Sequence, residues 1–347
     1  MARTLSNWEY RQLVSECQVL LGRRLEKIYE TEPGLFRFDF AFGDSLVVKL
    51  GEYFYLTKEP PAAPMQPSSF AMYLRKYLEG RKLESMEGAG SDRIYRLVFR
   101  EAPVLLLEQF AGGNLFLLDG ENRILRAYHS KPSEKRQYKS GDKYEYPASA
   151  PFSLPPGMKE WEAAAREKPS ATLSALMGRW PIGKAYTQNL LAELGWGDKK
   201  AGEVNEKQAQ ELLARLEELM RSPAPRVYED GEGRGAELSL VPLERFELGG
   251  TARTFPSFSQ AVEYFAKTAQ APAAEEENPK LKGLHHRLNE QQAALIGLER
   301  EIAKEAEETK WLEENLHELE GRRGKILEGR GAGEKVDEKK RGWKVSG

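Results

Sequence analysis

A charged pair, Asp92 and Arg93, stands where a glycine-rich turn leads into an alternating apolar strand that begins at Ile94. An aspartate can orient a neighbouring arginine by a charge-assisted hydrogen bond, and the arginine can then contact a phosphate or stack on an unpaired base. The cations nearest to this pair along the chain are Arg75, Lys76, Arg81, Lys82 and Arg96. They could neutralise a nucleic-acid backbone. The alternative interpretation is an internal salt bridge between Asp92 and Arg93 that holds the turn.

A helix is predicted to carry part of this basic set. Residues 60–67 are rich in proline, and either Ser68 or Ser69 is the expected N-cap of the helix that follows. Apolar residues then recur on one helical face, at Phe70, Leu74 and Leu78. Mostly off that face lie the cations Arg75, Lys76, Arg81 and Lys82. The pattern predicts a basic helix, and its other interpretation is an ordinary solvated helix.

Residue types with catalytic potential are few. The chain has four histidines, none spaced with a carboxylate for metal binding, and a single cysteine, Cys17, which excludes an internal disulfide. Residues 178–184 match the spacing of a phosphate-binding P-loop, but Ala185 replaces the required hydroxyl and a helical pattern precedes the segment. We therefore expect no cofactor, no metal and no active site, which favours a binding and positioning protein over an enzyme.

The net charge of −2 over 347 residues conceals strong segregation. Residues 123–143 hold seven Lys and Arg against two acids, whereas residues 275–320 hold thirteen Glu against six Lys and Arg. A basic patch on a globular part is typical of nucleic-acid binding, although this one is short enough to be a solvated loop. No signal-peptide pattern and no membrane-spanning stretch is present, so we expect a cytoplasmic location.

The elements fall into five predicted segments. A capping box at Ser6 and Glu9 opens a helix, and short alternating segments separated by Pro-Gly and Gly-Asp turns then predict an antiparallel sheet. Pro181 and Gly183 lie in a tight turn between two later helices, a helical hairpin that either binds a nucleic-acid backbone or is purely structural. The predicted segments are an α+β domain over 1–147, a helix-hairpin-helix module over 158–222, short strands and a helix over 223–270 that join back to the globular part, a coiled coil over 280–328 and a disordered basic tail over 329–347.

Three motifs carry a resemblance to a known family: SFAMYLRKYLEGRKL, SDRIYRL and FAGGNLFLLDGENRILRAYH. In their order and spacing they resemble the N-terminal domain of the NFACT family, which includes the Rqc2 homologues (RqcH). The resemblance covers residues 5–320. It implies an α+β fold, namely a MutM-like antiparallel β-sandwich with flanking helices, a helix-hairpin-helix module and a C-terminal coiled-coil helix.

The resemblance also implies a function in ribosome quality control. Family members bind the large ribosomal subunit obstructed by a nascent-chain peptidyl-tRNA, and they recruit tRNA so that the stalled chain receives a C-terminal tail, alanine-rich in prokaryotic relatives. The pair Asp92 and Arg93 matches the Asp-Arg pair that the family uses for tRNA. The alternatives are a general RNA-binding adaptor without tailing activity and a surface adhesin, since some bacterial relatives are labelled fibronectin-binding.

Two departures from the family pattern qualify the expected function. The family motif F-G-R-G-N is Phe110-Ala111-Gly112-Gly113-Asn114 here, so its arginine is replaced by Gly112. Full family members continue into a further domain, NFACT-R, whereas this sequence stops at Gly347. We therefore expect a fragment, a split-gene product or a reduced member, and a separate NFACT-R-containing chain as a further partner.

Overall fold

The computed structural model describes residues 4–89, 93–130, 137–147, 153–197, 199–231, 233–247 and 251–269, together with Glu320. The chain divides into two compact units, Met1–Ala271 and Pro272–Gly347. Every described residue except Glu320 belongs to the first unit. The predicted coiled coil over 280–328, apart from Glu320, and the predicted basic tail over 329–347 lie outside the described residues.

The first sheet is an antiparallel meander that follows an N-terminal helix. Helix α1 (Asn7–Cys17) begins at the predicted capping box, in which Glu9 N donates to the Ser6 hydroxyl and Ser6 N donates to the Glu9 carboxylate. After a 3-10 turn the four strands pair in sequence order: β1 (Leu25–Glu32), β2 (Leu35–Phe40), β3 (Ser45–Lys49) and β4 (Tyr53–Thr57). Every second residue of β2 is buried, which places one face of the sheet on the core.

A helix and a second antiparallel sheet follow. Helix α2 (Ser69–Leu78) begins at Ser68, whose hydroxyl accepts a hydrogen bond from Ala71 N, and it buries the predicted face of Phe70, Leu74 and Leu78. The five strands again pair in sequence order: β5 (Leu83–Gly88), β6 (Ile94–Phe99), β7 (Val104–Glu108), β8 (Asn114–Leu118) and β9 (Ile124–Ala127). An isolated antiparallel bridge between Arg24 and Lys82 connects the start of β1 to the start of β5.

One hydrophobic core joins α1 to both sheets. The Tyr10 ring of α1 lies 5.5 Å from the Phe54 ring of β4 and 5.4 Å from the Tyr95 ring of β6. A second, smaller core covers the opposite face of the second sheet and consists of Ile94, Leu106, Phe116, Leu118, Ile124 and Tyr144. The predicted α+β architecture with antiparallel sheets is therefore confirmed for this part of the chain.

Residues 158–222 form four helices in the described part of the chain. They are α3 (Met158–Glu167), α4 (Leu173–Met177), α5 (Lys184–Glu193) and α6 (Glu206–Arg221). Trp161 of α3 is buried, and its ring stacks on Trp180 at 6.0 Å. The assignment of α4 and α5 to a helix-hairpin-helix module, and of the sheets to a MutM-like sandwich, stays a prediction.

The last described elements pack back on the N-terminal part. The strands β10 (Arg226–Glu229), β11 (Gly235–Ser239) and β12 (Thr251–Thr254) form a third sheet, and the helices are α7 (Glu244–Glu247) and α8 (Phe258–Thr268). The Glu16 carboxylate of α1 accepts hydrogen bonds at 2.8 Å from Phe258 N and from Ser259 N. A negative charge at a helix N-terminus is favourable, so Glu16 attaches α8 to α1.

Candidate nucleic-acid interface

Arg93 lies directly before β6 and is half-buried. Its Nη1 donates a hydrogen bond to the Leu5 carbonyl oxygen at 3.3 Å. This bond uses one of the five N–H donors of the guanidinium group. Asp92 lies outside the described residues, so the predicted bond from Asp92 to Arg93 stays a prediction.

Two buried phenols adjoin Arg93. Burial raises the pKa of Tyr10 and of Tyr95 well above the usual value, and the positive charge of Arg93 acts in the opposite direction on both. Both phenols are therefore neutral at physiological pH. The Tyr10 hydroxyl donates to the Glu52 carbonyl oxygen at 2.8 Å, which connects α1 to the β3–β4 turn beside Arg93.

The two hairpin turns at this end of the molecule are in backbone contact, which we call the glycine clasp: Gly51 of the β3–β4 turn against Gly113 of the β7–β8 turn. A Cβ atom on Gly113 would lie 2.1 Å from the Gly51 nitrogen, and one on Gly51 would lie 2.6 Å from the Gly112 carbonyl carbon. Both glycines also have positive φ angles, 77° and 75°. Neither position therefore accepts a side chain without a backbone shift.

Gln109 connects the glycine clasp to Arg93. Its side-chain oxygen accepts from Gly51 N at 2.6 Å, its amide nitrogen donates to the Tyr53 carbonyl oxygen at 3.3 Å, and its backbone N–H donates to the Arg93 carbonyl oxygen at 2.7 Å. Gln109 is completely buried. The backbone of Arg93 is thus connected to both turns of the glycine clasp through one residue.

Gly112 stands where the resemblance to the NFACT family leads us to expect an arginine. It is exposed, with φ of 85°, and a Cβ atom there would meet nothing within 4 Å. The adjoining Asn114 is buried, and its side chain exchanges two hydrogen bonds with the backbone of His129. The turn therefore forms without an arginine at Gly112, because Gly113 and Asn114 hold it.

The Arg75 side chain packs against β1. Its Nε donates to the Ile28 carbonyl oxygen of β1 at 2.7 Å, and its Cζ lies 4.7 Å from the centroid of the Tyr29 ring. Its Nη2 is buried, with no hydrogen-bond partner. Arg75 therefore attaches α2 to β1, whereas its neighbour Lys76 is exposed.

Arg81 and Lys82 lie beyond the helix, because α2 ends at Leu78. Both side chains are exposed, and Arg81 forms an ion pair with Glu101 at 3.5 Å. In the β5–β6 hairpin Leu83 pairs with Phe99 at one end and Gly88 with Tyr95 at the other. A strand rises about 3.3 Å per residue, so the length of β5 separates Arg81 and Lys82 from Arg93.

Arg96 lies inside the second sheet. It pairs with Glu87 of β5 and Leu106 of β7, on the face of the smaller core, and its Nε is buried without a hydrogen-bond partner. The predicted cations therefore do not form one cluster. Arg93 lies at one end of the β5–β6 hairpin, and Arg81 and Lys82 lie at the other end. Lys76 is located on α2, and Arg96 is located on β6 between two neighbouring strands.

Sequence reasoning left Arg126 out of the candidate residues. Its Cζ lies 5.3 Å from the Tyr73 ring centroid, and the Tyr73 and Tyr77 rings are 5.2 Å apart on consecutive turns of α2. The four-residue spacing of the tyrosines and the basic strand RILRA were the available signals. Their juxtaposition depends on the packing of β9 beside α2, which no local pattern shows.

The turn of the helical hairpin is packed against α1. Ile182 is buried, the Pro181 carbonyl oxygen accepts from Asn7 N at 3.1 Å, and a Cβ atom on Gly183 would lie 3.2 Å from the Ser6 Cβ. The P-loop interpretation of residues 178–184 is also excluded, because α4 precedes Gly178 where a strand would be required.

The described part of the chain contains neither a candidate metal site nor a membrane-spanning helix. No group of three or more His, Cys, Asp or Glu side chains there could hold a metal ion. None of its helices has both the length and the apolar character needed to cross a membrane.

Sequence comparison finds relatives in archaea and eukaryotes. The chain is 26% identical over 309 residues to the archaeal Rqc2 homologue aRqcH of Methanocaldococcus jannaschii, a match that covers 81% of this chain and 45% of the relative. It is 28% identical over 238 residues to the ribosome quality control complex subunit NEMF of Mus musculus, covering 64% of this chain and 22% of that protein. The chain thus spans less than half the length of these relatives.

Structural comparison finds the same fold in two bacterial proteins. The fibrinogen-binding protein from Staphylococcus aureus superposes with a TM-score of 0.61 at 16% identity, covering 75% of this chain and 98% of the other. The N-terminal part of the fibronectin/fibrinogen-binding protein from Streptococcus suis gives a TM-score of 0.59 at 17% identity, covering 76% and 99%. The family model for the NFACT N-terminal and middle domains matches residues 9–325, and the chain therefore belongs to the NFACT family.

Proposed function

We propose that this chain is a ribosome quality control factor that binds the obstructed large ribosomal subunit and tRNA and promotes C-terminal tailing of stalled nascent chains. The support is the family match over residues 9–325, together with relatives that are named as ribosome quality control proteins. Peptide-bond formation belongs to the ribosome in this proposal. The chain positions tRNA and forms no covalent intermediate.

Within the structure, the proposal rests on the contacts that hold Arg93 in place. Its backbone is connected to the glycine clasp through Gln109, and its side chain adjoins two neutral phenols. A cation held in this way keeps its orientation when a phosphate approaches, so less side-chain freedom is lost on binding. We propose that Arg93, oriented by Asp92, makes the principal tRNA contact, and that Lys76 on α2 makes a separate phosphate contact.

The other predicted cations have different roles in this proposal. Arg75 is engaged with Ile28 and Tyr29, and Arg96 lies between strands, so both act on tRNA only by supporting the fold. Arg81 and Lys82, at the far end of the hairpin, are available for a second phosphate contact on the ribosome or along the tRNA. The remaining proposed partners are the nascent-chain peptidyl-tRNA and a separate NFACT-R-containing chain.

A reconstituted sedimentation experiment tests the proposal. Large subunits that carry peptidyl-tRNA, and empty large subunits, are each pelleted with the full chain, and the co-pelleted small RNA is sequenced. We expect preferential recovery with the obstructed subunits, accompanied by tRNA. Equal recovery with both, or tRNA at the background level, would overturn the proposal.

The alternative is a general RNA-binding adaptor without tailing activity. The observation that favours it is the separation of the predicted cations, because Arg93 and the pair of Arg81 and Lys82 lie at opposite ends of the β5–β6 hairpin and do not form one tRNA site. Adding charged tRNA to the same sedimented complex separates the two functions. A C-terminal extension of the nascent chain, detected by mass spectrometry, supports tailing, whereas binding without extension supports the adaptor.

A further inference from the structure

A second surface, located on α2 and β9, combines aromatic rings with cations. It consists of Tyr73, Lys76 and Tyr77 on α2 and Arg126 on β9, and we call it the tyrosine platform. The Lys76 Nζ lies 5.5 Å from the Tyr77 ring centroid, and the Arg126 Cζ lies 5.3 Å from the Tyr73 ring centroid. Both cations are exposed, and both tyrosines are half-buried.

The two cations are free of acidic partners within the described part of the chain. The acid that directly follows α2, Glu79, is engaged instead with Lys27 through an ion pair of 2.6 Å. In contrast, another stacked arginine, Arg253 over the Tyr264 ring at 4.6 Å, belongs to a group in which the Tyr264 hydroxyl donates to the Glu229 carboxylate at 2.5 Å. The tyrosine platform therefore keeps a net positive charge, while the Arg253 group includes an acid.

The layered geometry suits a nucleotide base. The Arg126 guanidinium lies over the Tyr73 ring, and the residue is exposed. A guanidinium plane is a stacking surface for an unpaired base. Lys76, on the same helix one residue before Tyr77, is placed to neutralise the adjoining phosphate. An acidic peptide would match the charge but would leave the stacking surface unused.

We propose that the tyrosine platform binds an unpaired segment of RNA by base stacking on Arg126 and Tyr73 and by phosphate neutralisation at Lys76. The proposal extends the proposed function, because it assigns a second RNA contact that requires single-stranded rather than duplex RNA. It does not depend on Arg93, since Tyr73 and Arg126 are located on α2 and β9 rather than at the glycine clasp.

The test measures binding of the full chain to two fluorescent probes by anisotropy: a short oligouridine and an abasic backbone of the same length. The probes share phosphates and differ only in bases. We expect roughly tenfold tighter binding of the oligouridine, because stacking on a protein platform is a substantial part of single-strand affinity. Equal affinity for both probes overturns the proposal.

Substitutions then separate stacking from charge. Tyr73→Leu with Tyr77→Leu keeps the apolar packing of α2, and it should remove the preference for bases while leaving the salt dependence unchanged. Arg126→Gln should likewise reduce the preference for bases. Lys76→Gln should reduce the slope of log affinity against log salt by about 0.7, the value for one phosphate of a single strand. The matched control Arg253→Gln should change neither quantity. Retention of both quantities in the platform variants, at unchanged melting temperature, overturns the proposal.

Two further outcomes distinguish this inference from the function on which it rests. If the wild-type chain pellets with obstructed large subunits but shows no preference for bases, the platform proposal fails and the proposed function stands. If an acidic peptide displaces the oligouridine and binds as tightly, the surface is a protein-docking site and the platform proposal fails as well.

Discussion

The two ends of the β5–β6 hairpin both present arginine, but they hold it differently. At one end Arg93 follows a backbone fixed by Gln109 and by the glycine clasp. At the other end Arg81 is exposed and is paired with Glu101, whose side chain is 80% exposed. Exposed ion pairs contribute little to stability, whereas close backbone packing tolerates almost no change. The difference shows that the backbone of Arg93 is fixed by buried contacts, whereas the Arg81 side chain is held only by an exposed ion pair.

The largest effect should come from the glycine clasp. Gly113→Ala places a Cβ atom 2.1 Å from the Gly51 nitrogen, so one of the two hairpin turns must move. We expect a loss of unfolding free energy of about 3 kcal/mol or more, measured by urea denaturation. The matched control is Gly112→Ala, which meets open space and should cost only about 1–2 kcal/mol for its left-handed backbone. Equal losses of unfolding free energy in the two variants would contradict the close backbone contact between Gly51 and Gly113.

Alkaline pH should lower the stability of the folded chain, in part through Tyr95 beside Arg93. Burial raises the pKa of Tyr95 well above 10.0, so in the folded chain the phenol keeps its proton at a pH where the unfolded chain loses it. The unfolded state then binds fewer protons, and stability falls as pH rises above about 10, by about 1.4 kcal/mol per unit for each such group.

Tyr95→Phe isolates the contribution of that phenol. The variant should show a shallower decline of unfolding free energy between about pH 10 and pH 11, measured by urea denaturation at each pH. A decline as steep as in the wild type would show that Tyr95 is not protected from ionisation in the folded chain.

Removing each arginine compares the two ends directly. Arg93→Ala deletes the hydrogen bond to the Leu5 carbonyl oxygen, and we expect a loss of about 1–2 kcal/mol in unfolding free energy. Arg81→Ala deletes an exposed pair with Glu101 and should change that free energy by less than about 0.5 kcal/mol. Thermal denaturation of the two variants at the same pH measures both. A larger loss from Arg81→Ala would reverse the comparison.

Local signals predicted the helix starts well. The capping box at Ser6 and Glu9 and the cap at Ser68, one of the two serines expected there, depend on residues within four positions of each other. Local sequence therefore places both helix starts to within one residue. The alternation of apolar and polar residues in β2 likewise predicts a strand with one buried face, and every second residue of β2 is buried. The antiparallel α+β class was predictable for this reason.

Local sequence patterns did not predict the contacts between residues that are far apart in the chain. Arg75 donates a hydrogen bond to the Ile28 carbonyl oxygen, which lies 47 residues earlier in the chain. The glycine clasp joins two turns that are 62 residues apart, at Gly51 and Gly113. Periodicity showed that Arg75 lies off the apolar face of α2, but exposure to solvent does not follow from that position. Likewise, no local pattern places Arg126 over Tyr73.

The most direct test of the role of Arg93 is the affinity of the full chain for tRNA in three forms: wild type, Arg93→Ala and Arg81→Ala. A contact made by a held guanidinium to a phosphate is worth about 1.5–3 kcal/mol, so Arg93→Ala should weaken binding by roughly tenfold to a hundredfold. Arg81→Ala should weaken it by less than about threefold, in line with an exposed cation. Equal losses in the two variants, with both folded, would contradict the assignment of the principal tRNA contact to the clasped end of the hairpin.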